Sequence, residues 1–190
     1  MKLIKTITLL AAATGLCLSS TTAMSEPEGY LSIWRSSVKV AGKGDSKTLA
    51  MEIQTAKPIP VDGKTGAFGY AALTDNANNL LVLVTHLPID DSSHENQENG
   101  FHAHVLDLKE PTAACAGANF EVDLENSGKN TAFDADYPWK IQGSKISVEN
   151  VPVKDLGDAG VDTIVSFTLK PVLNSQQKPT NLCVTVTDKG

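Results

Sequence analysis

From Lys47 onward, apolar residues fall at every second position in short runs separated by turn-forming residues, and that rhythm points to an all-β fold. Leu49, Met51 and Ile53 alternate with Ala50, Glu52 and Gln54, the pattern of a strand with one buried face. Pro58 and Pro60 end it. Residues 67–74 and 80–87 flank Asp75-Asn76-Ala77-Asn78-Asn79, whose composition suits a hairpin loop. The run from Leu80 to Val84 is apolar throughout and is expected to be central. Further strands are expected around Phe120, Val122 and Leu124, around Ile146 and Val148, around Val165, Phe167 and Leu169, and around Leu182, Val184 and Val186. No segment beyond residue 23 carries a helical period. About eight short strands separated by Gly, Pro, Asn and Asp predict an antiparallel sandwich or flattened barrel.

The first 23 residues read as an export signal. Lys2 and Lys5 form a charged start, residues 7–18 an apolar run, and Thr21 and Ala23 a cleavage site. The run is short for a membrane span and is interrupted by Thr and Gly. A lipid anchor on Cys17 is the second choice, because Leu16 before it is bulky. Residues 24–46, with Pro27, Gly29, Gly42 and Gly44, read as a partly ordered lead-in from which Tyr30, Ile33 and Trp34 dock on the core. The domain proper is expected over residues 47–190.

Loss of Lys2 and Lys5 with the signal takes the formal charge from −6 to −8. Such a chain is a poor partner for nucleic acid or an anionic membrane. Export to a periplasmic or extracellular space leaves Cys115 and Cys183 where thiols oxidise, and one disulfide is the simplest pairing. No Cys-x-x-Cys is present, which argues against cytoplasmic redox chemistry.

Gly100-Phe101-His102-Ala103-His104 is the segment richest in chemistry. On a strand, His102 and His104 project from the same face, together with Leu106 and Leu108, while Phe101, Ala103 and Val105 take the other. If the latter face meets the core, the imidazoles lie outside it, as half of a metal site. His94, in the polar loop of residues 88–99 beside Glu95 and Glu98, and His86, at the end of the neighbouring strand, are the candidates for a third ligand. A solvated loop histidine is the plainer reading of each. Zinc hydrolysis has no His-Glu-x-x-His, and serine catalysis no Gly-x-Ser-x-Gly. Tyr137-Pro138-Trp139 and Trp34 are expected to plug the ends of the sandwich.

These residues resemble the copper/zinc superoxide dismutases. Gly100-Phe101-His102-Ala103-His104 is similar to the strand that supplies two copper ligands there, and Leu83-Val84-Thr85-His86-Leu87-Pro88 to the segment before it. Cys115 and Cys183 stand where that family has its disulfide, and Ala116-Gly117-Ala118-Asn119-Phe120 resembles the segment carrying the metal-bridging histidine. The resemblance covers roughly residues 47–187 and implies a Greek-key sandwich. It also implies losses. Asn119 replaces the bridging histidine, Phe167 stands at the place of the last copper ligand, and no histidine follows His104. The family's substrate-guiding arginine has no counterpart: Thr180 lies at its place, with only Lys178 nearby.

The resemblance therefore implies an exported dismutase-like domain that lacks the zinc site and most of the copper site. Its expected role is non-enzymatic: labile copper binding through His102 and His104, or a structural or partner-binding role. The alternative is an active copper-dependent dismutase in which His86 or His94 substitutes for a lost ligand.

Overall fold

The structure, a computed structural model, describes residues 28–75, 80–85, 100–133, 135 and 137–190. Strand β2 (Thr48–Thr55) follows the expected alternation, with Leu49, Met51 and Ile53 buried and Glu52 exposed. It pairs antiparallel with β1 (Ile33–Ala41) on one side and β9 (Lys145–Pro152) on the other. With β8 (Trp139–Gln142) these make a four-stranded sheet in the order β1-β2-β9-β8.

The second sheet holds β3 (Phe68–Thr74), β4 (Leu80–Thr85), β5 (Phe101–Leu106), β6 (Leu108–Lys109), β7 (Phe120–Val122), β10 (Val161–Leu173) and β11 (Pro179–Lys189). Its order is β5-β4-β3-β10-β11-β7-β6, antiparallel at every step. Its two edges, β5 and β6, are consecutive in the chain and separated by Asp107 alone. A strand that leaves one edge and joins the other within one residue requires the sheet to curl. Asp107 serves as the corner: its N–H donates to the Ser127 hydroxyl at 2.9 Å and its carbonyl accepts the Asp123 N–H at 2.8 Å.

Two apolar clusters result. The larger lies between the sheets and joins Leu49, Met51 and Ile53 to Phe68, Tyr70, Phe101, Val105, Ile146 and Val148. Phe68 meets Phe101 edge-on, with ring centres 5.5 Å apart. The smaller lies on the opposite face of the curled sheet and joins Ala71, Leu106, Val122, Val165, Phe167 and Val184. A sheet buried on both faces explains the unbroken burial of β5.

The fold is an all-β sandwich, as expected, with several corrections. The segment assigned to a lead-in contains β1, paired residue by residue with β2, so the fold begins well before residue 47. Tyr30 and Ile33 pack against the larger core, whereas Trp34 is 73% exposed. The cause is a bulge: Ile33 faces Thr55 and Arg35 faces Gln54, with Trp34 inserted between them. Leu124 belongs to no strand. It opens a short helix, α1 (Leu124–Ser127), whose first turn is capped by the Asp123 carboxylate accepting the Asn126 N–H at 3.3 Å. Strand β8 was not anticipated; Trp139 on it packs against Phe101, and Tyr137 just before it is buried.

Candidate metal centre

Strand β5 starts from Gly100, whose φ of +66° is readily adopted by glycine. The carbonyl of Gly100 faces back along the strand and accepts the Nδ1–H of His102 at 3.1 Å. His104 donates from Nδ1 to the carbonyl of Phe133 at 2.8 Å. A carbonyl oxygen can only accept, so both Nδ1 atoms carry hydrogen. In the neutral rings the lone pair then resides on Nε2. Backbone carbonyls that fix a histidine tautomer in this way are the usual outer support of a metal-binding imidazole.

The two ring centres are 4.5 Å apart, with the planes at 82°. Two imidazoles held cis on one ion, at metal–nitrogen distances near 2.0 Å, have centres about 4.4 Å apart. The edge-on contact is also that of two neighbouring side chains on one face of a strand, and imidazole nitrogen is the donor type that would suit copper. Among the described residues no group of three or more His, Cys, Asp or Glu side chains could hold a metal ion. His86 and His94, the candidates for a third ligand, lie outside the described residues.

Parity places the pair as expected, off the larger core that holds Phe101, Ala103 and Val105. The pair is not a surface pair, however. His102 and His104 are only 7% and 6% exposed. Phe133 contributes to this cover, its ring stacked on His104 with centres 5.0 Å apart and planes at 29°. Phe133 lies in a polar stretch and is 29 residues from His104, with no period to announce the contact.

The positions that the resemblance matches to other ligands are engaged elsewhere. Asn119 accepts the Val186 N–H on its side-chain oxygen at 2.8 Å and donates its own N–H to Val184, extending the pairing of β7 with β11. Phe167 is buried in the smaller core on β10. The register runs from His102 through Val84 and Gly69 to Phe167, three strand spacings, or about 14 Å measured along the sheet. Thr180 donates its hydroxyl to the Val172 carbonyl at 3.1 Å.

Cys115 and Cys183 form a disulfide with a Cα–Cα distance of 5.2 Å. It ties the 3-10 turn Ala113–Cys115 to β11. Beside it lies Glu121, between Phe120 and Val122 on β7. Its carboxylate is buried and accepts from the Thr112 N–H and hydroxyl at 2.9 and 2.7 Å and from Asn181 Nδ2 at 2.8 Å.

A cavity of about 930 Å³ lies elsewhere, open to solvent between β6, α1 and the turn Val153–Leu156. Its walls include Asp107, Lys109, Asp123, Lys129, Lys154 and Asp155, and neither histidine is among its lining residues. Burial raises the Asp107 carboxyl above its ordinary value, with the Asp123 charge adding to the effect. Three lysines facing at least as many acids give no net attraction for an anion. A second cavity, within the smaller core, measures about 10 Å³, room for one water at most. Among the described residues, the histidine pair therefore offers a more specific donor set than the walls of this cavity. No known protein family, curated protein or solved structure matches this chain.

Proposed function

We propose that the chain is an exported, dismutase-like domain that binds copper labilely through His102 and His104 and does not turn over superoxide. The observation that supports this reading is the anchoring of both rings through Nδ1, which sets the basic lone pair of each neutral ring on Nε2. Copper supplies a redox-active centre when bound. The chain supplies two nitrogen donors, a backbone that holds their tautomers, and the Phe133 ring that shields His104 from water.

Labile binding follows from the donor count. Copper(II) favours three or four nitrogen or oxygen donors, and two imidazoles leave the remainder to solvent or to exchangeable groups. The absence of turnover follows from charge: a chain of formal charge −6, with no arginine near Cys183, repels an anionic substrate. Export is proposed from the charged and apolar pattern of residues 1–23, which lie outside the described residues.

Titration of the purified domain with copper(II), followed by electron paramagnetic resonance, is expected to show weak binding with nitrogen hyperfine structure. His102→Ala or His104→Ala is expected to lower the affinity at least tenfold, about 1.4 kcal/mol. Superoxide consumption measured on the same samples, after unbound copper is chelated, is expected to stay at the uncatalysed rate. Tight one-to-one binding with rapid consumption would favour instead an active dismutase completed by His86 or His94. Binding unchanged in both histidine variants would leave the domain a structural or partner-binding role.

A further inference from the structure

β1 is an edge strand of the four-stranded sheet, and among the described residues no strand pairs with its outer side. Strand β1 is bonded along its length to β2, and beyond Ile33, whose N–H donates to the Asp188 carboxylate at 2.8 Å, its backbone makes no other hydrogen bond among the described residues. Gly190 abuts the inward side chains Ile33 and Ser36, and residues 37–41 run past it with Val40 59% exposed. An edge strand of this kind presents alternate N–H and C=O groups to any extended chain.

What lies along that edge selects the partner. The bulge at Trp34 sets Trp34 and Arg35 together opposite Gln54, so both project outward, and Lys39 follows on the same face four residues later. β1 contains Arg35 and Lys39 and no acid, in a chain whose formal charge is −6. Antiparallel pairing of two β1 strands about Ser37 would set Arg35 against Lys39 of the other copy, a like-charge cross-strand pair that disfavours a second copy in that register. Nothing on the strand opposes an acidic one.

We infer that β1 is a docking edge for an extended acidic segment of a partner protein, added as a fifth strand, with carboxylates four residues apart opposite Arg35 and Lys39 and an apolar side chain against Trp34. Main-chain hydrogen bonds supply the affinity of such an addition, and the alternate side chains supply its selectivity. This inference is independent of copper binding, because β1 lies in the sheet that does not contain the histidines.

A soluble nine-residue peptide alternating glutamate with valine is the probe, and its lysine-for-glutamate counterpart is the control. Amide shifts in a nitrogen–proton correlation spectrum of the intact protein map the contact, and tryptophan emission reports the covering of Trp34. The acidic peptide is expected to shift the β1 amides and move the emission to shorter wavelength, and Trp34→Phe is expected to abolish the emission change while leaving the amide shifts. The double variant Arg35→Glu with Lys39→Glu, both exposed, is expected to weaken binding about tenfold, with the preference passing to the lysine peptide. Equal binding of the two peptides, binding unaffected by the double variant, no β1 shift at millimolar peptide, or a self-association that the acidic peptide does not displace would each overturn the inference.

Discussion

Replacing Cys115 and Cys183 together by alanine is expected to lower the free energy of unfolding by about 4 kcal/mol, the chain-entropy value for a loop of this length. The bond joins positions separated by 68 residues, so its loss releases most of the C-terminal half in the unfolded state without altering the packed strands. For a domain of this size about 4 kcal/mol corresponds to a fall in Tm of roughly 8–16 °C. Urea titrations of the oxidised, reduced and doubly substituted proteins, monitored by circular dichroism, measure it. Both cysteines are buried, so alanine also leaves two small cavities, and the reduced wild-type protein separates that packing cost from the loss of the cross-link. A loss below about 1 kcal/mol in the reduced protein would mean that the reduced unfolded chain is already restricted in this region, and would overturn the chain-entropy account.

The limits of legibility are physical. β2 could be read from its sequence because one of its faces is buried and the other is wet, so Leu49, Met51 and Ile53 alternate with polar or small residues. β1 could not, because the bulge places Trp34 and Arg35 on the same side and breaks the period that marks a strand. Across Asp107 the reverse holds. Leu106 and Leu108 continue the alternation of the histidine strand, so one long strand is the natural reading, yet Leu106 pairs with Leu80 of β4 and Leu108 with Val122 of β7. Alternation records which side is dry; it does not record which neighbour pairs. The curl of the sheet was therefore invisible.

The candidate site divides in the same way. Strand parity put His102 and His104 on one face, and the structure keeps them there. The Phe133 ring covers His104, and the tautomers of the two rings rest on the carbonyls of Gly100 and Phe133. Of these, only the Gly100 contact is local. The use of Asn119 as a partner for Val186 is a consequence of register, which a single sequence does not supply.

Glu121 gives the second large effect, and its sign with pH is fixed by its partners. The carboxylate is 1% exposed, yet it lies just under the half-exposed Lys109, whose Nζ is 3.5 Å away, so its cover is thin. Hydrogen bonds from Asn181 and then Thr112 outweigh desolvation and hold its pKa down to about 2, against an ordinary value of 4.5. A carboxylate with a depressed folded pKa contributes stability that is complete above its unfolded pKa and is lost as pH falls through the folded one. The wild-type protein is expected to lose that contribution progressively between about pH 5 and pH 2. Glu121→Gln is expected to be less stable by roughly 1–3 kcal/mol at pH 7, the range for hydrogen bonds to a charged group, and to converge on the wild type near pH 2. Urea midpoints of the two proteins across that range test it, and parallel curves would show that the carboxylate charge has no part in holding the fold. Glu121 also faces Cys183 directly in the register of β7 with β11, while Thr112 and Asn181 flank the two cysteines. The carboxylate and the disulfide thus secure the same stretch of chain to the same strand. When either remains, the stretch stays docked; when both are removed it is free to leave. Because a stretch that is free to leave relieves part of the cost of losing both restraints, the combined loss in a Glu121→Gln, Cys115→Ala, Cys183→Ala protein is expected to fall short of the sum of the separate losses, by about 0.5 kcal/mol or more in a thermodynamic cycle.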